Sequence, residues 1–140
     1  MSDVKTFWDT NIFVYMYSND QEEKRQASLS LLEKHTLFTS TQALNELCNV
    51  FTKKYNLKTS NIREFIRGIT SSFHIEIIME KTIEEGLRIK GKYGYSYYDS
   101  LMLAAALQCN CNIFFTEDMN DGQIIDGKLK IVNPYKVKEE

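Results

Sequence analysis

The chain has 140 residues, is 43% hydrophobic and carries a formal net charge of −2, with a pI of about 5.8. That length and apolar content suit one domain spanning 1–140 with a real core. The charge balance excludes a global electrostatic case for nucleic acid, so any such binding must come from a local basic patch.

Taken in chain order, no charged-then-apolar leader opens the sequence. Residues 4–8 read as a first strand that runs directly into Asp9. Thr10 or Asn11 caps a helix over 10–17, and Ser18-Asn19-Asp20 breaks it. A charged helix follows over 21–33, then a short strand over 37–39. Ser40 or Thr41 caps a helix to about Tyr55, where Leu44, Leu47, Cys48, Phe51 and Tyr55 recur at helical spacing. A further helix starts at Thr59 or Ser60. The β-branched run within 73–79 predicts a strand, 81–92 a helix, and 91–95 a glycine-punctuated loop. Ser96 caps a helix from Tyr97 to about Gln108 whose apolar run, Leu101 to Leu107, is far shorter than the roughly 20 residues of a membrane span. No membrane association is expected. A strand over 112–116, a polar turn and one or two short strands around Asp126-Gly127 complete the chain.

Strands alternating with helices predict an α/β fold, a parallel sheet covered on both faces. Three cysteines, Cys48, Cys109 and Cys111, fit reduced thiols in a cytoplasm. Cys109-Asn110-Cys111 is not a C-x-x-C pattern and reads as small buried residues.

Four acidic residues stand out by position. Asp9 ends the first strand, Glu46 lies early in the helix after the second, Asp99 opens the helix after the glycine-punctuated loop, and Asp118 follows the strand over 112–116. In a parallel sheet all four belong to the carboxyl-end side, where ligands gather. Such a cluster repels itself unless a cation compensates it, and hard cations such as Mg²⁺ take oxygen ligands. Each acid also has a plainer role. Asp99 closes an S-x-x-D capping pattern with Ser96, Glu46 suits a solvated helix flank, and Asp118 suits a turn. The order and placement of the four carry the argument, with Asp9 the hardest to dismiss because it ends a buried strand.

On these residues the chain resembles the PIN-domain family, and within it the VapC-type toxins of toxin–antitoxin pairs. Phe7-Trp8-Asp9-Thr10-Asn11-Ile12 resembles the opening motif, Leu44-Asn45-Glu46 the second, and Tyr97-Tyr98-Asp99-Ser100-Leu101-Met102 through Leu107 the third. Phe115-Thr116-Glu117-Asp118-Met119-Asn120-Asp121-Gly122-Gln123, followed by Val132-Asn133-Pro134-Tyr135, resembles the closing segment. The resemblance implies a three-layer α/β/α fold with a central parallel sheet of four to five strands. It implies a metal-dependent endoribonuclease that cleaves RNA through a metal-activated water. It assigns Asp9, Glu46, Asp99 and Asp118 as catalytic residues and ligands of Mg²⁺ or Mn²⁺. Thr10, Asn11 and Thr116 are supporting polar residues, and Asp121 is a further candidate carboxylate.

The expected partners are an RNA substrate, a cognate antitoxin and a second copy of the chain. Basic candidates for RNA are Lys53, Lys54, Lys58, Arg63, Arg67, Arg88, Lys90 and Lys92, with Tyr93, Tyr95, Tyr97 and Tyr98 as stacking candidates. Ile12, Phe13 and Tyr17, with the helices 21–33 and 41–55, are the expected antitoxin ridge. His35 and His74 fall outside the acidic segments. A non-catalytic PIN-type module that binds RNA or protein is the alternative. The chain lacks the early acidic pair and late lysine that a phosphoacceptor signalling domain requires, and it has Asn11 where a dehalogenase-like phosphatase requires a second Asp two residues after the first.

Overall fold

The computed structural model of the protein describes residues 4–33 and 35–136. Its elements are β1 (Lys5–Trp8), α1 (Thr10–Tyr17), α2 (Glu22–Leu31), β2 (Thr36–Ser40), α3 (Thr41–Lys53), α4 (Thr59–Ser72), β3 (His74–Glu76), α5 (Glu80–Tyr93), α6 (Tyr97–Gln108), β4 (Ile113–Phe115), β5 (Ile124–Ile125) and β6 (Leu129–Val132). They form one sheet in the order β3-β2-β1-β4-β6-β5. The five strands from β3 to β6 pair in parallel. The two-residue β5 adds an antiparallel edge at the Asp126-Gly127 turn.

The pleat divides the core into two layers, because successive strand residues face opposite ways. Phe7, Phe38, Phe114 and Ile131 pack on one face with Ile89, Met102 and Leu103, from α5 and α6. Trp8, Leu37, Phe115 and Val132 pack on the other with Phe13, Leu31, Leu47, Phe51 and Ile69, from α1 to α4. The result is the α/β/α sandwich expected from the alternation of elements. Helix α6 is apolar all round and is buried from Ser100 to Ala106, as such a helix must be. It lies so close to α5 that a Cβ on Gly86 would come within 3.2 Å of the Leu101 Cα. No helix among the described residues is long and apolar enough to cross a membrane.

Three sequence expectations shift. The strand expected within 73–79 stops at Glu76 because side chains take the next backbone donors: Ile78 N–H donates to Thr41 Oγ1 and Met79 N–H to Thr82 Oγ1, each at 3.1 Å. The loop expected at 91–95 begins only at Gly94, which ends α5 with a φ of 81° that suits glycine. The ridge expected from Ile12, Phe13 and Tyr17 is reduced to Tyr17, which is 38% exposed. Ile12 and Phe13 are fully buried, and Tyr17 packs edge-on against Phe51 and Tyr55. Their α1 stripe serves the core.

Candidate active site

Asp9 leaves the central strand at its carboxyl end and becomes the N-cap of α1. Its backbone N–H donates to the Phe115 carbonyl at 3.1 Å, which extends the β1–β4 ladder by one rung. Its side chain is only 5% exposed. One carboxylate oxygen accepts from the Thr10 backbone N–H at 2.7 Å and the other from the Thr116 hydroxyl at 2.7 Å. Burial nevertheless dominates and pushes its pKa up to about 7. The two hydrogen bonds oppose that rise, and the charges of Asp99 and Asp118 add to it.

The other acids come from separate elements. Asp118 follows β4, is exposed, and is tied at both ends: its carboxylate accepts from the Asn11 amide at 2.9 Å, and its backbone N–H donates to Thr116 Oγ1 at 3.1 Å. Asp99 sits in the first turn of α6, where its N–H donates to the Ser96 cap at 3.3 Å. Burial raises its pKa, the Ser96 bond lowers it, and the Asp118 charge raises it. Glu46, on the half-buried flank of α3, accepts from the Gln42 amide at 3.1 Å. Burial raises its pKa, and Asp99 contributes to the rise. Asp99 is therefore the hub, in electrostatic contact with each of the other three.

Among the described residues, none of these four acids has a basic partner in an ion pair. Oxygen donors whose mutual repulsion is uncompensated fit a hard divalent cation in donor type and charge. No three acidic, histidine or cysteine side chains among the described residues stand close enough to share one ion as they are. Mg²⁺ ordinarily takes only one or two carboxylates and otherwise water, so it does not require three.

The supporting residues divide. Asn11 and Thr116 each hold a carboxylate of the set. Thr10 serves Asp9 through its backbone, while its hydroxyl donates to the Ala43 carbonyl at 3.4 Å and joins α1 to α3. Asp121 turns away: it accepts from Asn133 N–H at 2.7 Å and faces Lys136 at 3.7 Å, fastening the closing segment. Gln42 escaped the sequence reading, although its spacing of four residues before Glu46 is a helical signal for such a bond.

A PIN domain family model matches residues 6–120. The chain belongs to the PIN domain family. This PIN domain shares its fold with a toxin–antitoxin complex from Klebsiella pneumoniae, at 24% identity and a TM-score of 0.68, over 94% of this chain and 99% of that one. VapC20 of Mycobacterium tuberculosis, described as a sarcin-ricin-loop-cleaving toxin, superposes at 15% identity and a TM-score of 0.67, over 81% of this chain and 91% of that one. DNA-bound VapBC from Salmonella typhimurium gives 17% identity and a TM-score of 0.66, over 91% and 98%. A comparison with curated protein sequences gave no match.

Proposed function

We propose that this PIN domain is an endoribonuclease dependent on Mg²⁺ or Mn²⁺ and the toxin of a toxin–antitoxin pair in the cytoplasm. The observation that carries the reading is the set of four carboxylates without basic partners around the end of β1, with the pKa values of Asp9, Glu46 and Asp99 all raised. Uncompensated charge of this kind destabilises a fold and is expected where a cation is to be bound. A bound divalent ion would supply the charge that offsets the phosphate's and would make water a better nucleophile near neutral pH. Asp9 and Asp99 would hold it, with Asp118 direct or through water. Glu46, held by Gln42, would ligate or orient the attacking water. Thr116 and Asn11 would keep Asp9 and Asp118 in place.

The RNA would meet exposed Lys53, Lys54, Lys58, Arg63, Arg67 and Lys90. Arg88 and Lys92 are engaged with Asp126. Tyr93 bonds to Asp126 and Tyr95 to the Asn120 backbone and Gln123, which leaves Tyr97 and the exposed Tyr98 for base stacking. An antitoxin with a basic side chain would silence the enzyme by compensating the same carboxylates. That partner is supported by the complexes among the structural neighbours. A second copy is the other proposed partner. Ile83 and Leu87 are exposed one turn apart on α5, after exposed Ile77 and Met79. One turn further lies Gly91, a helix-weakening residue with nothing within 4 Å of where its Cβ would be. Glu84 and Lys90 flank this stripe without ion partners among the described residues, so an antiparallel α5 pair would match charges.

The deciding test is cleavage of total cellular RNA by purified protein with Mg²⁺, with Mn²⁺ and with EDTA, beside an Asp9→Asn variant. Discrete fragments that need metal and vanish in the variant are expected. Cleavage that survives EDTA or Asp9→Asn would overturn the mechanism. No cleavage by a folded protein that binds Mn²⁺ would favour the non-catalytic binding module.

A further inference from the structure

Next to the carboxylates lies a charged cluster to which the proposed chemistry assigns no role. Lys24, on α2, places its ammonium 2.8 Å from a Glu117 carboxylate oxygen and 3.3 Å from the Tyr15 hydroxyl. The Tyr15 hydroxyl donates to the other Glu117 oxygen. The same ammonium lies 4.7 Å from the centre of the Tyr15 ring and 5.5 Å from that of Tyr135, within cation–π range of both. Tyr135 is fixed in turn: its hydroxyl is 2.7 Å from the fully buried Ser28 Oγ, and its ring meets Tyr15 edge-on at 5.2 Å.

Resting on the nuclease reading above, we infer that Lys24 and Glu117, braced by Tyr15, are positioning residues that hold the Thr116–Asp118 turn so that Asp118 faces Asp99. Three consecutive side chains of this turn are pinned in three directions. Thr116 donates to Asp9, Glu117 is held by Lys24 and Tyr15, and Asp118 accepts from Asn11. Only the middle contact reaches α2, a helix that carries none of the four acids. Without it Glu117 would be a further negative charge beside a set that already repels itself. The Lys24–Glu117 pair keeps that charge neutralised and directed away. Its side chains are only 33% and 18% exposed, so solvent screens it less than a surface pair.

The test compares Lys24→Met, Glu117→Gln and Lys24→Arg with the wild type, each first shown to be folded by circular dichroism. Mn²⁺ affinity is measured by electron paramagnetic resonance without RNA, and kcat and KM are measured on the cleaved RNA. Lys24→Met and Glu117→Gln are expected to weaken Mn²⁺ binding about tenfold or more, as loss of a contact behind a metal ligand does. They should lower kcat and leave the KM for RNA within about twofold, and Lys24→Arg should restore most of the loss. If Lys24→Met does not fold, the near-isosteric Glu117→Gln carries the test. Unchanged Mn²⁺ affinity and kcat, with only a lower melting temperature, would overturn the inference and leave a purely structural ion pair. If the wild type neither binds Mn²⁺ nor cuts RNA, the nuclease reading fails separately. The positioning itself is then read from exchange of the Asp118 amide hydrogen. Faster exchange in Lys24→Met by tenfold or more supports it, and unchanged exchange overturns it.

Discussion

A carboxylate at position 9 sits where the fold disfavours its charge. Two neutral donors reach it, yet burial raises its pKa from 3.8 to about 7. Because the folded value lies above the unfolded one, the native state binds the extra proton between these pH values. Stability therefore falls as pH rises through that window and stays low above it. At 1.36 kcal/mol per pKa unit, the penalty at pH 8 is at most on the order of 4 kcal/mol. Asp9→Asn is therefore expected to melt higher than the wild type at pH 8 with EDTA present, by the equivalent of roughly 1–4 kcal/mol, with the difference shrinking as pH falls toward the unfolded value of 3.8. Equal or lower stability of the variant at pH 8 would contradict the buried-charge account. The same substitution should abolish metal-dependent cleavage, so stability and function would move in opposite directions.

Helix α6 and its neighbour α5 show what an element can and cannot announce. The S-x-x-D pattern at Ser96 does cap α6, and the same turn sets Asp99 beside Asp118. One geometry thus serves the cap and brings Asp99 near a second acid. The glycines of α5 separate by environment. A Cβ at Gly86 would crowd the Leu101 backbone of α6, whereas a Cβ at Gly91 would meet nothing within 4 Å. Gly91→Ala should therefore stabilise the isolated chain by about 0.5–1 kcal/mol through helix propensity. If α5 pairs with a second copy, the added methyl should also weaken that dimer, seen as a shift toward monomer in sedimentation at micromolar concentration. A variant that melts higher with unchanged association would remove α5 from the interface.

Over the whole molecule, the distribution of charge matters more than its sum. The net charge of −2 hides the fact that Arg88 and Lys92 are committed to Asp126, while Arg63 and Arg67 stand exposed a turn apart on α4. Arg63→Ala and Arg67→Ala are expected to raise KM for RNA with little change in kcat, and each should reduce the slope of log affinity against log salt by about 0.7. Arg88→Ala should instead lower the melting temperature and leave RNA affinity unaltered. Equal effects of all three on RNA affinity would mean that α4 holds no special place in binding.

What the sequence by itself determined is what short-range physics writes into it. The alternation of elements, the two-faced sheet, the Ser96 cap and the placement of Asp9, Asp99 and Asp118 at element ends are set by apolar period and capping chemistry within a few residues. The tertiary structure alone decided which of those residues meet. Asn11 reaches Asp118 and Thr116 reaches Asp9 across 107 residues, and Lys24 reaches Glu117 across 93. No local pattern encodes such a pairing, because it depends on which strands are neighbours in the sheet. The same holds for Asp121, which looks like one more acid of the set in the sequence and is turned to Asn133 and Lys136 in the fold. It holds also for Ile12 and Phe13, whose apolar stripe reads alike whether it faces a partner or the core. Only the packing of α1 against α3 and the Trp8 side of the sheet sends it inward.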